Sequence, residues 1–143
     1  MKQNGNKFLS LLLAVMICFT SCTMTGDWCY RLLPGDYEVL RINSTEIDLV
    51  QDGGYVIRYV IAFCYNESFI GVQQPEFDKE SNDDLDIREM DWSNPNYYLV
   101  DAANEAVYGP YTATEYEDQL KKLNITDMCE WISTNTKPKG AVW

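Results

Sequence analysis

The spacing of apolar and polar residues predicts a chain made mostly of short β-strands. Between residues 28 and 73, alternating segments are separated by turn-forming sequences such as Pro34-Gly35-Asp36 and Asp52-Gly53-Gly54. Residues 55–65 alternate between large and smaller side chains over their whole length and predict one long strand. Further strands are expected at residues 97–101, 106–108 and 131–133.

One helix is expected near the C-terminus. Thr112 and Glu115 have the spacing of a capping box, in which each side chain binds a free backbone N–H group of the other residue. The apolar residues that follow at helical spacing are Tyr116, Leu120 and Leu123. The prediction for residues 28–133 is therefore an α+β domain, a mostly antiparallel β meander of about six strands with one C-terminal helix packed on it. Residues 134–143 are expected to form a frayed tail.

The N-terminal segment is typical of an export signal. Lys2 and Lys7 precede an apolar run at residues 8–19, which has the length of a signal-peptide core and is shorter than the roughly 20 residues of a spanning helix. The run ends in Phe19-Thr20-Ser21-Cys22, which resembles the lipobox of bacterial lipoproteins. That resemblance implies a signal peptide at residues 1–21, a tether at residues 22–27, and a lipid anchor of fatty acids such as palmitate on Cys22. The alternative is an ordinary secretory signal followed by an unrelated cysteine.

The charge of the chain restricts the classes of molecule that it is expected to bind. It has 22 acidic and 11 basic residues, a formal net charge of −11, and no histidine. Such a surface does not suit nucleic acid, which is held by clustered Lys and Arg. Without histidine the commonest catalytic base and metal ligand are missing, and we expect a protein that is not an enzyme. Because no acidic residue directly follows Cys22, the resemblance to Gram-negative sorting signals implies an outer-membrane lipoprotein facing the periplasm.

Three cysteines besides Cys22 would remain after cleavage of the signal peptide. They are Cys29, Cys64 and Cys129. An exported compartment permits disulfides, so one bridge and one leftover thiol could form, and the sequence leaves three pairings open. The alternative is that all three are small buried apolar residues.

Residues 75–95 interrupt the strand pattern and predict a long acidic loop. Six of its oxygen-bearing side chains fall at positions 1, 3, 5, 7, 9 and 12 of an EF-hand-like calcium loop: Asp78, Glu80, Asn82, Asp84, Asp86 and Glu89. Asp83 stands where that loop needs a glycine, and Pro75 precludes an entering helix. Calcium binding is therefore one alternative beside a plain solvated loop and an acidic surface for a basic partner. No other cofactor is expected.

The tryptophans are the other candidates for contact with a partner. Trp92 lies in the acidic loop with no periodic pattern to bury it, so we expect it to be an exposed partner contact. For Trp28 and Trp131 we expect packing in the core.

Several sequence pieces in a fixed order resemble a family of small bacterial lipoproteins classed as a domain of unknown function. The matching residues are Cys22, Gly26-Asp27, Leu33-Pro34-Gly35-Asp36-Tyr37, Leu40-Arg41-Ile42-Asn43, Asn66, Phe69, Ile70, Tyr97-Tyr98-Leu99-Val100-Asp101, Val107-Tyr108-Gly109-Pro110, Thr112, Glu115 and Tyr116. The resemblance implies an exported, anchored, β-rich domain with a C-terminal helix, and it implies no catalytic residues.

These observations favour a cell-envelope lipoprotein that is held to the membrane by its lipid and binds an unknown envelope protein through an acidic and aromatic surface. One alternative is an immunity- or inhibitor-like protein that neutralises a basic partner, for which small size and strong negative charge are suited. Another is a calcium-stabilised envelope domain.

Overall fold

Nine antiparallel strands in two sheets and one helix make up the part of the chain that the computed structural model describes, namely residues 26–32, 34–76 and 86–142. The first sheet has the order β1-β2-β3-β4 and the second has the order β8-β7-β6-β5-β9. The strands of the first sheet are β1 (Trp28–Arg31), β2 (Tyr37–Arg41), β3 (Ile47–Gln51) and β4 (Gly54–Ile57). Those of the second are β5 (Ala62–Tyr65), β6 (Phe69–Gln74), β7 (Asn96–Asp101), β8 (Ala106–Tyr111) and β9 (Ile132–Ser133), and the helix α1 spans Ala113–Lys122 between β8 and β9.

This architecture confirms the expected fold class, with more strands than the expected six. The segment 55–65 is divided between β4 and β5, which belong to different sheets. Residues 58–61 cross from one sheet to the other. The Val60 N–H group donates to the Ile47 carbonyl of the first sheet, and the Ile61 N–H group donates to the Gln73 carbonyl of the second. Tyr59 at the centre of this crossover has a φ of +57°, which a continuous strand does not allow.

The main core lies between the two sheets. Buried residues of both sheets form one cluster, including Val39 and Leu49 from the first and Phe63 and Val72 from the second. Because side chains alternate along a strand, the opposite face of the second sheet presents another set of residues. Leu99 of β7 lies on that face and forms a smaller cluster with residues of α1 and the segment after it.

The helix begins where the capping box predicts. The Glu115 N–H group donates to the Thr112 hydroxyl, and the Thr112 N–H group donates to the Glu115 carboxylate at 2.8 Å. Of the expected apolar stripe, Tyr116 is buried and Leu120 is half-buried against the sheet. Leu123 is exposed because it is the C-cap residue, where the chain leaves the helix.

The C-terminal segment corrects the expectation of a frayed tail at residues 134–143. Thr134 and Pro138 are buried. Val142 and Cys29 exchange two backbone hydrogen bonds of 2.9 and 3.1 Å, which extends the edge of the first sheet at β1. Residues 134–142 therefore pack on the domain. None of the helices in the described part of the chain is long and apolar enough to cross a bilayer.

Candidate functional site

Most of the predicted calcium ligands lie outside the described residues. These are Asp78, Glu80, Asn82 and Asp84. The predicted lipidation site, Cys22, also lies outside the described residues. In the described ranges, no cluster of three or more His, Cys, Asp and Glu side chains has an arrangement that could hold a metal ion.

The two remaining predicted ligands, Asp86 and Glu89, lie in a turn at the end of the acidic loop. Nε of Arg88 lies 2.9 and 3.0 Å from the two carboxylate oxygens of Asp86. These hydrogen bonds hold the pKa of Asp86 below its usual range. The Glu89 N–H group donates to the Asp86 carbonyl at 2.9 Å, which closes the turn. The Asp86 carboxylate is thus paired with the Arg88 guanidinium. Calcium binding stays a prediction.

The structure corrects the expected exposure of Trp92. Its indole is half-buried against the main core, and its Nε1–H group donates to the Ile87 carbonyl at 2.8 Å. Ile87 is itself only 2% exposed, and its N–H group donates to the Thr45 carbonyl. The end of the acidic loop therefore packs on the domain, and Trp92 contributes to that packing.

All three predicted disulfide partners are free thiols in the structure. Cys29 is buried in the first sheet and Cys64 in the second, whereas Cys129 is exposed. Burial raises the pKa of the Cys64 thiol to about 12. The pKa of Cys29 is also raised, first by burial and then by the nearby Glu38 carboxylate.

Three buried polar side chains hold the crossover at residues 58–61, and the sequence reasoning missed their role. They are Asp48, Gln74 and Thr134, the only polar side chains buried in the ranges described. Asp48 accepts a hydrogen bond from the N–H group of residue 59 at 3.0 Å, and Gln74 donates to the carbonyl of residue 58 at 2.7 Å. The Thr134 hydroxyl lies 2.8 and 2.9 Å from the carbonyl oxygens of residues 60 and 61. They supply the partners that buried backbone groups require.

Asp48 is the least expected of the three, because alternation along the strand places it on the opposite face from the apolar residues Ile47 and Leu49. Val50, two residues further and on the same face, was the signal that this face is buried. Oδ2 of Asp48 has no hydrogen-bond partner among the described residues. Burial raises the pKa of Asp48, against the opposing effects of the Tyr59 N–H bond and the Arg58 cation. Since the side chain is fully buried, we assign it a structural role in the crossover.

Arg58 begins the crossover on the outer surface. Its guanidinium forms an ion pair with Glu46. Its Cζ lies 5.5 Å from the ring centroid of Tyr55 and 4.9 Å from that of Tyr59. A cation in this position is attracted to the ring faces. Arg58 therefore packs against the outside of the segment that Asp48 holds from the inside.

A glycine lets α1 approach the second sheet closely. A Cβ atom built on Gly71 would lie 2.2 Å from Oη of Tyr116 and 2.7 Å from Sγ of Cys64. Around this point Tyr116 packs against two further rings, with centroid distances of 5.4 Å to Tyr97 and 5.8 Å to Trp131. Burial raises the pKa of Tyr116 above its ordinary value. Trp131, expected in the core, is 38% exposed, so one part of this aromatic cluster reaches the surface.

A groove of about 370 Å³ lies beside the exposed face of α1. We call it the helix groove. Its lining residues are Leu120, Ile125 and Met128 in the apolar part, with Glu117, Lys121, Asn124 and Thr126. The three apolar residues belong to the same cluster as Tyr116, whose ring contacts Trp131. The helix groove and the exposed part of Trp131 therefore adjoin one hydrophobic cluster, which makes this surface the best candidate for contact with a partner.

The comparison with known families covers most of the chain. Residues 34–134 match the family described as Protein of unknown function (DUF3997). No curated protein and no solved structure matches the chain. The match includes β2 to β9, the crossover, α1 and the helix groove. It confirms the resemblance to a domain of unknown function and leaves the lipid anchor a prediction. The chain belongs to the DUF3997 family.

Proposed function

We propose that this protein is an exported, lipid-anchored domain that binds a basic protein of the cell envelope through the helix groove and Trp131. One observation carries the proposal: the basic start and apolar run of residues 2–19 end in small residues directly before Cys22. Cleavage there would place Cys22 at the new N-terminus. Two or three acyl chains would give stable membrane attachment, whereas one chain alone gives marginal attachment.

The tether limits where such a partner could be. β1 begins at Trp28, six residues after Cys22. An extended chain of that length spans about 20 Å at most. The anchored domain would therefore stay close to the membrane surface and meet partners that are at the same surface.

The chemistry of the helix groove supports a protein partner with basic residues. It is lined by three apolar side chains together with polar ones, and the chain as a whole carries a net charge of −11. Lys121 is one cation at the groove, and it pairs with Asp118. Glu117 also lines the groove and could pair with a cation of the partner. A segment with apolar side chains flanked by lysine or arginine would cover the three apolar lining residues and match this charge.

The first test concerns the anchor. Cells that express the full chain are supplied with a labelled fatty acid, and the Cys22→Ala variant is treated in parallel. We expect label on the wild-type chain, an N-terminus at Cys22 by mass spectrometry, and loss of both in the variant. Cys29→Ala is the matched control, because Cys29 is buried in β1 and should leave the labelling unchanged. Label that persists in Cys22→Ala, or a native N-terminus at another residue, would refute the anchor.

The second test concerns the binding surface. A photoreactive phenylalanine analogue replaces Trp131 in the anchored protein within living cells, and irradiation links it to whatever lies against it. We expect a discrete adduct at this position, whose yield falls when Leu120→Glu is introduced into the helix groove.

The control for this test is Tyr55, a strongly exposed aromatic residue on the first sheet, 62% accessible. The same analogue at Tyr55 should give no discrete adduct. Equal adducts at both positions, or none at Trp131, would show that the helix groove is not the binding surface even if Cys22 is acylated.

A further inference from the structure

We infer that Cys64 and Cys129 form a disulfide under oxidising conditions, and that Cys29 remains the free thiol. The pairing is a property of the folded domain and does not depend on the lipid anchor. Among the three possible pairings, it is the one that the backbone contacts of the second sheet bring together.

The distance between the two residues follows from their hydrogen bonds. The Cys129 N–H group donates to the Tyr65 carbonyl at 3.0 Å, and Sγ of Cys129 accepts from the Tyr65 N–H group at 3.2 Å. The Tyr65 nitrogen is bonded to the carbonyl carbon of Cys64 and thus lies about 2.4 Å from its Cα atom. The Cys129 sulfur is therefore within about 5.6 Å of the Cys64 Cα atom, so the two cysteines are neighbours and rotation of their side chains would bring the two sulfur atoms together.

Cys64 lies between the helix and a glycine of the neighbouring strand. Its side chain lies on the helix face of β5, next to Tyr116, with its sulfur 3.8 Å from Oη of that residue. Its cross-strand neighbour is Gly71, which has no side chain to block rotation of the thiol. Burial is the main cause of the raised pKa values of Cys64 and Tyr116, and Cys129 adds a smaller effect to both.

Cys29 lies in a different part of the domain from Cys64 and Cys129. It lies on β1 of the first sheet, where its backbone pairs with Val142. The charged groups that affect its thiol are Glu38 and Arg31, which belong to the same sheet. A bridge from Cys29 would have to reach from the first sheet to β5 or to the segment that contacts β5.

The bridge would form by thiol–disulfide exchange with a small disulfide oxidant or a disulfide oxidoreductase. The exposed Cys129 thiolate attacks the oxidant's disulfide, forms a mixed disulfide and releases one thiol of the oxidant. Cys64 then loses its proton, attacks the Cys129 sulfur and displaces the second thiol. The protein loses two electrons and two protons, and the oxidant's disulfide is reduced to two thiols. Because burial raises the pKa of Cys64 to about 12, the second step should accelerate with pH.

The bridge would also act on the candidate binding surface. It would join β5 to the segment that carries Trp131, two residues after Cys129. Trp131 packs on Tyr116 at the edge of the helix groove. Oxidation would therefore fix the position of Trp131 relative to the groove.

Peptide mapping tests the pairing. The full chain is reduced, equilibrated with oxidised glutathione, quenched with acid, unfolded and alkylated before proteolysis. We expect a peptide pair bridged between Cys64 and Cys129, with Cys29 alkylated. The Cys29→Ala variant should form the same bridge. Cys129→Ser, which keeps an acceptor for the Tyr65 N–H group, should lose the bridge and leave Cys64 alkylated.

Three outcomes would overturn the inference: a bridge that includes Cys29, a bridge between two chains through Cys129, or alkylation of all three cysteines after equilibration with the oxidant. The bridged peptides are identified by sequence, so acylation or free thiol at Cys22 does not affect the reading. Failure of this test would leave the proposed anchor and binding surface untouched.

Discussion

Replacing Gly71 with alanine should lower the free energy of unfolding by about 2–3 kcal/mol, at the upper end of what overpacking costs. The new methyl group would lie 2.2 Å from Oη of Tyr116 and 2.7 Å from Sγ of Cys64, well inside van der Waals contact. Gly71 is in the middle of β6 with β5 and β7 on either side, so its backbone has little freedom to move. The helix must therefore shift away from the sheet. Denaturant unfolding of wild type and variant measures the loss.

A double-mutant cycle would test whether the clash with Tyr116 causes the loss of stability in Gly71→Ala. Tyr116→Phe removes the hydroxyl oxygen that meets the methyl group, and the one hydrogen-bond contact described for that hydroxyl is a long one of 3.8 Å to Cys64. The pair Gly71→Ala with Tyr116→Phe should recover about 1 kcal/mol relative to the sum of the single changes. Gly54→Ala in β4, where the nearest atom would be 3.4 Å away, should cost much less. Additive effects of Gly71→Ala and Tyr116→Phe would contradict the close approach of helix and sheet.

Replacing Asp48 with alanine should lower the free energy of unfolding by about 1–3 kcal/mol, the cost of losing a buried hydrogen bond. The carboxylate accepts the Tyr59 N–H bond that holds this residue at a φ of +57° within the crossover. Asp48→Asn keeps an oxygen at the acceptor position and should retain more of the stability. The comparison is made by denaturant unfolding at pH 4, where less of the wild-type carboxyl is ionised.

The pH dependence of stability should reveal Asp48 directly. Burial raises its pKa in the folded state above the unfolded value of about 3.9. The folded state then holds the proton more tightly, so this contribution is complete below the unfolded pKa and is lost as pH rises through the folded pKa. The unfolding free energy of wild type minus that of Asp48→Asn should therefore fall as pH rises from about 4 towards neutrality.

Glu115 provides a control of opposite sign. Hydrogen bonds from Thr112 hold the pKa of Glu115 below its usual range. Its contribution is present above the unfolded pKa and is lost as pH falls through the folded pKa. The difference between wild type and Glu115→Gln should thus rise with pH. A difference for Asp48→Asn that is flat or rises with pH would contradict the burial of the Asp48 carboxyl as the main influence on its pKa.

Local rules in the sequence were enough to predict several elements of the fold. Turn residues mark the ends of β1 to β3, and the Thr112–Glu115 capping box marks the start of α1. These features depend on residues close together in the chain. Alternation alone could not reveal that residues 55–65 pass from one sheet to the other. That break depends on Asp48, Gln74 and Thr134, which lie far from the crossover in sequence.

The candidate site was less predictable for the same reason. Trp92 has no periodic neighbours, yet it packs on the core because the Ile87 backbone is fixed by Thr45 of another loop. Trp131 has strand-like neighbours, yet it stays partly exposed because it directly precedes β9, the edge strand of the second sheet. The helix groove joins α1 to the segment that follows it, and its apolar residues show no single period.

The pairing of Cys29 with Val142 has a consequence for engineering. Cys29 and Val142, near the two ends of the described part of the chain, meet at the free edge of the first sheet, so a short linker could join them. New ends opened between Ala103 and Asn104, in an exposed turn, would leave every strand pair and the helix groove in place. In such a circular permutant the N-terminus, and with it the proposed lipid anchor, would lie at a different position on the domain. A different side of the domain would then face away from the membrane, while the side chains of the helix groove stay unchanged.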